Sequence, residues 1–340
     1  GAAFELDSSL LFSSYSGVPH TAESPTHQVA ESEVRMNQVA TMILSARPWS
    51  FFLSLASTMT GSVIAFNQGI FHLDRFLLVV FASVILHAGM NLLNDYFDFR
   101  HGVDKPNVAT AQYRPHPLVE GTMSPRQIMA GVIVCYSIAG LIALYLATMV
   151  GWSFGIVVIV GAFVSYFYTG EPFNFKRRAL GEVTMFLAAG PFMIGGSYFV
   201  QTGSWANILP VILVSIPVGM WWSLILAANN LKDIETDRQN PGRTVASSLG
   251  RRGGVIFFAV LAGIVYGGAL VDILLGVMPV WAAAVFVTLP RMIALIRIFL
   301  TAETVPANAD PMVGQVQVLY STILLAAFLL NRFVPLNLSL

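Results

Sequence analysis

Nine apolar runs divide the sequence, at 48–67, 76–95, 128–148, 151–169, 181–201, 206–229, 254–274, 277–298 and 315–334. Each approaches the roughly 20 residues that a helix needs to cross a bilayer. In hydrocarbon, backbone N–H and C=O groups have no water to pair with, so such runs must fold as helices that satisfy their own amides. Composition agrees: 56% of the 340 residues are hydrophobic and 11% are charged, with a mean hydropathy of +0.70. Soluble domains carry about 25% charged residues. The expected fold is all-α: a polytopic membrane protein of nine transmembrane helices around a central cavity. The shortest connections fall near Gly151 and near Gly276 and Pro279.

The basic residues set an orientation. Of the 18 Lys and Arg residues, all but Arg75 and Arg332 lie before the first run or in the even-to-odd connections and their flanks. The positive-inside rule then places the N-terminus and those connections in the cytoplasm and the C-terminus outside, in the cell membrane. Residues 1–35 are polar and lack the apolar stretch of a signal peptide. They are expected to be a disordered tail ahead of a membrane domain at 36–340. Cys135 is the single cysteine, so no intrachain disulfide can form.

Two polar motifs interrupt this apolar background. The first is Asn91-Leu92-Leu93-Asn94-Asp95-Tyr96-Phe97-Asp98, continuing to Gly102-Val103-Asp104. At 100° per residue, Asn91, Asn94, Asp95 and Asp98 share one helical face. The second runs from Asn229 to Arg238, and there Asn230, Asp233 and Asp237 share a face. The motifs close the second and sixth runs, four spans apart, so they point the same way, as in an internal repeat. Carboxylates at membrane depth are expensive and mark functional sites.

Without cations, Asp95, Asp98, Asp104, Asp233 and Asp237 would repel one another and raise each other's pKa. Mg2+ binds through carboxylates and substrate phosphates. Two Asp clusters therefore suit a diphosphate bridged by Mg2+. Asn91, Asn94, Asn229 and Asn230 offer neutral oxygens and amide donors at the same level, with Asn94 and Asn230 best spaced to the acids. Arg47, Arg114, Lys176, Arg177, Arg178, Lys232, Arg238 and Arg243 are the cations that could steady charge on a departing diphosphate. Orientation alone accounts for Arg177 and Arg178, and less readily for Arg47 and Lys176. Tyr96, Phe97, Tyr166, Tyr168 and Trp222 lie near the motifs in sequence and could supply aromatic faces to a site.

These motifs resemble those of the UbiA-type intramembrane prenyltransferases. That resemblance spans most of residues 44–250 and implies nine helices with Asp-rich motifs on the second and sixth. It also implies Mg2+-dependent transfer of a prenyl group from a polyprenyl diphosphate. Within the superfamily, the Gly102–Asp104 ending is similar to the menaquinone-pathway branch. So are Ala46-Arg47-Pro48-Trp49-Ser50-Phe51, Tyr168-Thr169-Gly170, Ala179-Leu180-Gly181-Glu182 and the second motif. The implied acceptor is an aromatic quinone precursor, 1,4-dihydroxy-2-naphthoate. Asn94, Asp98 and Asp104 match the first metal motif, with Asp95 beside it, and Asn230, Asp233 and Asp237 match the second. Lys176 and Arg47 match positions that hold the diphosphate; with Asp95 they form the expected catalytic set. Asn91, Arg114, Tyr168, Asn229, Lys232 and Arg243 complete the expected substrate-binding set.

Two stretches depart from that branch. Arg114-Pro115-His116-Pro117-Leu118-Val119-Glu120-Gly121 looks more like the ubiquinone branch, and Lys176-Arg177-Arg178 is more basic than is typical of the bacterial naphthoate enzymes. Acceptors such as 4-hydroxybenzoate or homogentisate, and ether-lipid or haem prenylation, are the alternatives within the superfamily. A cation-coupled transporter is the alternative outside it, but its site should lie near the midplane on broken helices. The surrounding bilayer is an expected partner and nucleic acid is not.

Overall fold

The computed structural model describes residues 38–103, 116–239 and 242–336. The expected tail at 1–35 lies outside them. The described residues are helical, with no strand among them beyond one isolated bridge between Arg178 and Arg243. Nine segments match the nine apolar runs: α1 (Phe51–Asn67), α2 (Leu73–Arg100), α3 (Pro125–Val150), α4 (Ser153–Phe167), α5 (Gly181–Thr202), α6 (Ile208–Lys232), α7 (Val245–Leu274), α8 (Val280–Thr301) and α9 (Ala309–Phe333). Eight are long and apolar enough to cross a membrane, the first span beginning at Gln38, ahead of α1. The ninth, α4, has only 15 residues.

The helix ends follow from local chemistry. Ser124 and Gln127 form a reciprocal capping box at the start of α3, with Pro125 in the first turn, and Thr244 and Ser247 do the same for α7. Gly151, at φ 112°, stops α3 and allows the tight link into α4. Pro191 would break a regular α-helix. Here α5 absorbs it as a π-helical turn over Ala188–Phe192. In that turn Gly190 lies against Gly219 of α6, so close that a Cβ on Gly219 would sit 2.5 Å from the Gly190 Cα.

The largest core joins α6, α7, α8 and α9 around Trp221, Phe258 and Tyr320, all fully buried. A smaller core packs α2 on α3 through Leu92, Leu93 and Ile128. Both motif helices outrun their apolar segments, α2 to Arg100 and α6 to Lys232. Hydropathy ends where the polar face begins, but the helical hydrogen bonds continue because that polar face is paired.

Candidate active site

The first motif meets basic residues brought from elsewhere in the chain. Asp95 is fully buried and accepts a hydrogen bond from Arg47 Nη2 at 2.5 Å. Asp98, three residues on, accepts from Lys176 Nζ at 2.6 Å and from Asn94 Nδ2 at 2.9 Å. Lys176 also donates to Asn94 Oδ1 at 3.0 Å, so Asn94, Asp98 and Lys176 form a closed triangle. Arg177 adds a second cation, with Nη2 3.8 Å from Asp98 Oδ1. Orientation alone would account for Arg177, but it follows Lys176 in one 3-10 turn, Phe175–Arg177, that aims both at α2.

That turn is fixed from both sides. Lys176 N donates to the Tyr168 carbonyl at 2.9 Å, which ties the turn to the end of α4. Arg243 N donates to the Arg177 carbonyl and Ala179 N to the Arg243 carbonyl, both at 2.8 Å. The connection after α6 therefore clasps the connection before α5. The Arg243 side chain itself is exposed. Gly242 is required at this clasp, because a Cβ there would lie 2.7 Å from Arg177 Cβ, and its φ is 97°.

The second motif lies within the field of the same cations. Asp237 accepts from Thr244 Oγ1 at 3.2 Å. Burial pushes its carboxyl above the ordinary range, while Lys176, Arg177 and the Thr244 hydroxyl pull it down and Asp98 pushes it up. Asp233 caps α6 and is pushed up to about 6 by burial, with Lys232 opposing and Asp237 and Asp310 adding to the rise. Asp237 is thus within electrostatic reach of Asp98, Lys176 and Arg177, although it comes from a different helix. Burial, with Glu182 and Asp98 close by, also raises the Tyr168 hydroxyl.

Other expected residues have different surroundings. Asn91 donates to the Ala46 carbonyl at 2.7 Å and to Ser50 Oγ at 3.2 Å, toward the approach to α1. Lys232 is buried and pairs with Asp310 of α9 at 2.6 Å. Asn229 is half-buried on α6. Asp104 and Arg114 lie outside the described residues. One residue not expected at the site stands in it: Glu182, buried on α5, accepts from Asn230 Nδ2 at 3.0 Å through Oε1, while Oε2 has no hydrogen-bond partner among the described residues. Its signal in the sequence is a lone carboxylate in the first turn of a membrane helix.

Among the described residues, no three His, Cys, Asp or Glu side chains converge as a ready cage for an ion. The available donors are nevertheless all hard oxygens: Asn94 Oδ1, the Asp98, Asp233 and Asp237 carboxylates, and Asn230 Oδ1. That chemistry fits Mg2+, which is held by few protein ligands together with substrate phosphates.

The sequence matches the UbiA prenyltransferase family over residues 54–331. The chain belongs to that family. It is therefore a prenyltransferase, which removes the transporter alternative. This UbiA-family enzyme is 27% identical over 281 residues to the 1,4-dihydroxy-2-naphthoate octaprenyltransferase of Bacillus subtilis (strain 168), covering 83% of this chain and 88% of the relative. Its fold is similar to that of a UbiA homologue from Aeropyrum pernix K1, with a TM-score of 0.65 at 18% identity, covering 82% and 97% of the two chains. It is also similar to a UbiA homologue from Archaeoglobus fulgidus solved with GPP and Mg2+, at TM-score 0.58, 14% identity and 84% and 99% coverage.

Proposed function

We propose that this enzyme transfers a prenyl group from a polyprenyl diphosphate to 1,4-dihydroxy-2-naphthoate, with Mg2+, in menaquinone biosynthesis. The observation that carries the reading is the cluster at the end of α2. There Lys176 and Arg177 meet Asp98 and Asn94, beside the Arg47–Asp95 pair and within the field of Asp237. Fixed cations beside hard oxygen donors are what a diphosphate with Mg2+ would require. Asn94, Asp98, Asp104, Asn230, Asp233 and Asp237 would hold the metal. When bound, Mg2+ supplies positive charge to the diphosphate oxygens.

Lys176 and Arg47 bind and orient the diphosphate as its C–O bond breaks and the electron pair stays on oxygen. The allylic carbon bonds to a carbon of the electron-rich ring, and the ring then loses CO2 or a proton from the attacked position. Tyr168, Trp222 and neighbouring rings would exclude water from the cation. The Bacillus subtilis relative, by its name, prenylates this naphthoate, and the Archaeoglobus fulgidus homologue was solved with GPP and Mg2+. Basic residues at the ends of α2, α4 and α6 favour a site on the cytoplasmic side of the cell membrane, with the N-terminus inside.

The test is an acceptor panel with one prenyl diphosphate and Mg2+ in detergent, read by product mass. Prenylated, decarboxylated naphthoate is the expected product. Transfer to 4-hydroxybenzoate and none to naphthoate would overturn the acceptor and leave the donor standing. No Mg2+-dependent diphosphate release with any acceptor would overturn the whole reading.

A further inference from the structure

The chain turns into α1 at Arg47, whose backbone is left-handed, at φ 59° and ψ 63°. A residue with a Cβ adopts that conformation only where its surroundings hold it. Here the surroundings come from α2. Asn91 donates both to the Ala46 carbonyl, at 2.7 Å, and to Ser50 Oγ, at 3.2 Å. Ser50 in turn closes the turn on itself: its hydroxyl donates to the Arg47 carbonyl at 2.8 Å, and its N–H to the same oxygen at 2.9 Å.

His87, one helical turn before Asn91, supports Ser50 from the other side. Its Nε2 lies 3.3 Å from Ser50 Oγ and its Nδ1 2.8 Å from Ser54 Oγ. The single hydroxyl proton of Ser50 goes to Arg47, so Ser50 accepts from both Asn91 and His87. His87 therefore carries its proton on Nε2 and accepts from Ser54 at Nδ1. Phe51 and Trp222 fix the ring, at centroid distances of 5.6 and 4.8 Å. One turn beyond Asn91, Asp95 takes the Arg47 guanidinium. His87, Asn91 and Asp95 thus stand at i, i+4 and i+8 on one face of α2, and together they hold one turn of the chain.

We propose that Asn91, with His87 behind it and Ser50 between, is a positioning residue that holds Arg47 in the turn from which its guanidinium meets the diphosphate. The inference rests on the reading of Arg47 as a diphosphate-binding residue. It gives Asn91 a different role from direct substrate binding, since the described contacts direct its amide at the Arg47 turn.

The test is steady-state kinetics of the full-length enzyme in detergent, with Mg2+ saturating and geranylgeranyl diphosphate varied. The variants are Arg47→Ala, Asn91→Ala, Asn91→Asp, Ser50→Ala, Ser50→Thr and the Arg47→Ala/Asn91→Ala double. Arg47→Ala is expected to raise KM for the diphosphate about tenfold, the loss of one charge-assisted contact. Asn91→Ala and Ser50→Ala should raise it by a similar factor and leave KM for the aromatic acceptor unchanged. Asn91→Asp lacks the amide donors and should not rescue, whereas Ser50→Thr keeps the hydroxyl and should. The double variant should be no worse than Arg47→Ala, because the two residues act as a unit. Unchanged diphosphate KM in Asn91→Ala, or an effect that multiplies in full on top of Arg47→Ala, would overturn the proposal while Arg47 kept its role. An Arg47→Ala enzyme with unchanged diphosphate KM would overturn that role and this inference with it. Should Asn91→Ala fail to fold, the Ser50→Ala and Ser50→Thr pair, read by the same KM, decides.

Discussion

Asp98→Asn changes one charge at the centre of the α2 cluster and nearly nothing in shape. In the structure Asp98 accepts from Lys176 at 2.6 Å and from Asn94 at 2.9 Å, with Arg177 at 3.8 Å. At an effective dielectric of about 20, a separation of 2.6 Å corresponds to roughly 6 kcal/mol of gross attraction. Most of that is offset by desolvation of two nearly buried ions. The net worth of a hydrogen bond to a charged group is about 2 kcal/mol, and that is the stability Asp98→Asn should lose. The rate should fall further, roughly 100-fold or more, because the carboxylate serves the charge held on the diphosphate. The assay is the initial rate of prenyl transfer against Mg2+ concentration, beside thermal unfolding in the same detergent. Asp272→Asn, at the far end of α7, is the control and should keep full activity. Wild-type rates and Mg2+ dependence in Asp98→Asn would refute the reasoning.

Asp233→Asn should separate activity from stability. Its carboxyl is held up to about 6 by burial, so the folded state binds the proton more tightly than the unfolded chain, and stability falls as pH rises from about 4 to 6. At pH 7.5 the substitution should therefore stabilise by about 3 kcal/mol in chemical unfolding while the prenyl-transfer rate drops. An Asp98→Asn/Asp233→Asn double should be little slower than either single variant, read in the same rate assay. Lys232→Met removes the ion pair between the buried Lys232 side chain and half-buried Asp310 and should destabilise by about 3 kcal/mol, seen as a lower unfolding midpoint. In a Cys135→Ser background, a membrane-impermeant thiol reagent added outside should label a cysteine at exposed Ser204 and spare one at exposed Ser248; the reverse would invert the orientation.

The fold was legible because hydropathy marks a membrane helix directly. All nine runs became helices, and even the interruptions near Gly151, Gly276 and Pro279 fell between them. Hydropathy could not see that α2 continues through Asp95 and Asp98 to Arg100, nor that α6 stops at Lys232 inside the second motif, where Asp233 caps it and a separate short helix, Ile234–Gln239, carries Asp237 off the single face that periodicity predicts. The π-helical turn at Pro191 was equally invisible, as was the close approach of its Gly190 to Gly219 of the next helix.

At the site, spacing groups the acids along each motif and the basic residues are legible as candidates, but which cation meets which acid is set by other parts of the chain. The acids of the first motif do not face one another as an isolated acidic patch: Asp95 has Arg47, and Asp98 has Lys176 and Arg177. Like-charge repulsion is felt in the second motif, where Asp98 pushes the Asp237 carboxyl up and Asp237 and Asp310 add to the burial that raises Asp233. The difference comes from two short connections. The 3-10 turn at Phe175–Arg177 delivers cations to α2, and the clasp of Arg243 on Arg177 brings the end of the second motif into the same field. A pattern along one helix cannot encode that meeting. The same holds for Asn91, which lies on the acidic face by periodicity but spends its amide on the turn that carries Arg47. Sharing a face with a carboxylate is evidence of burial in the same direction; what a residue does there is decided by the neighbouring element it meets.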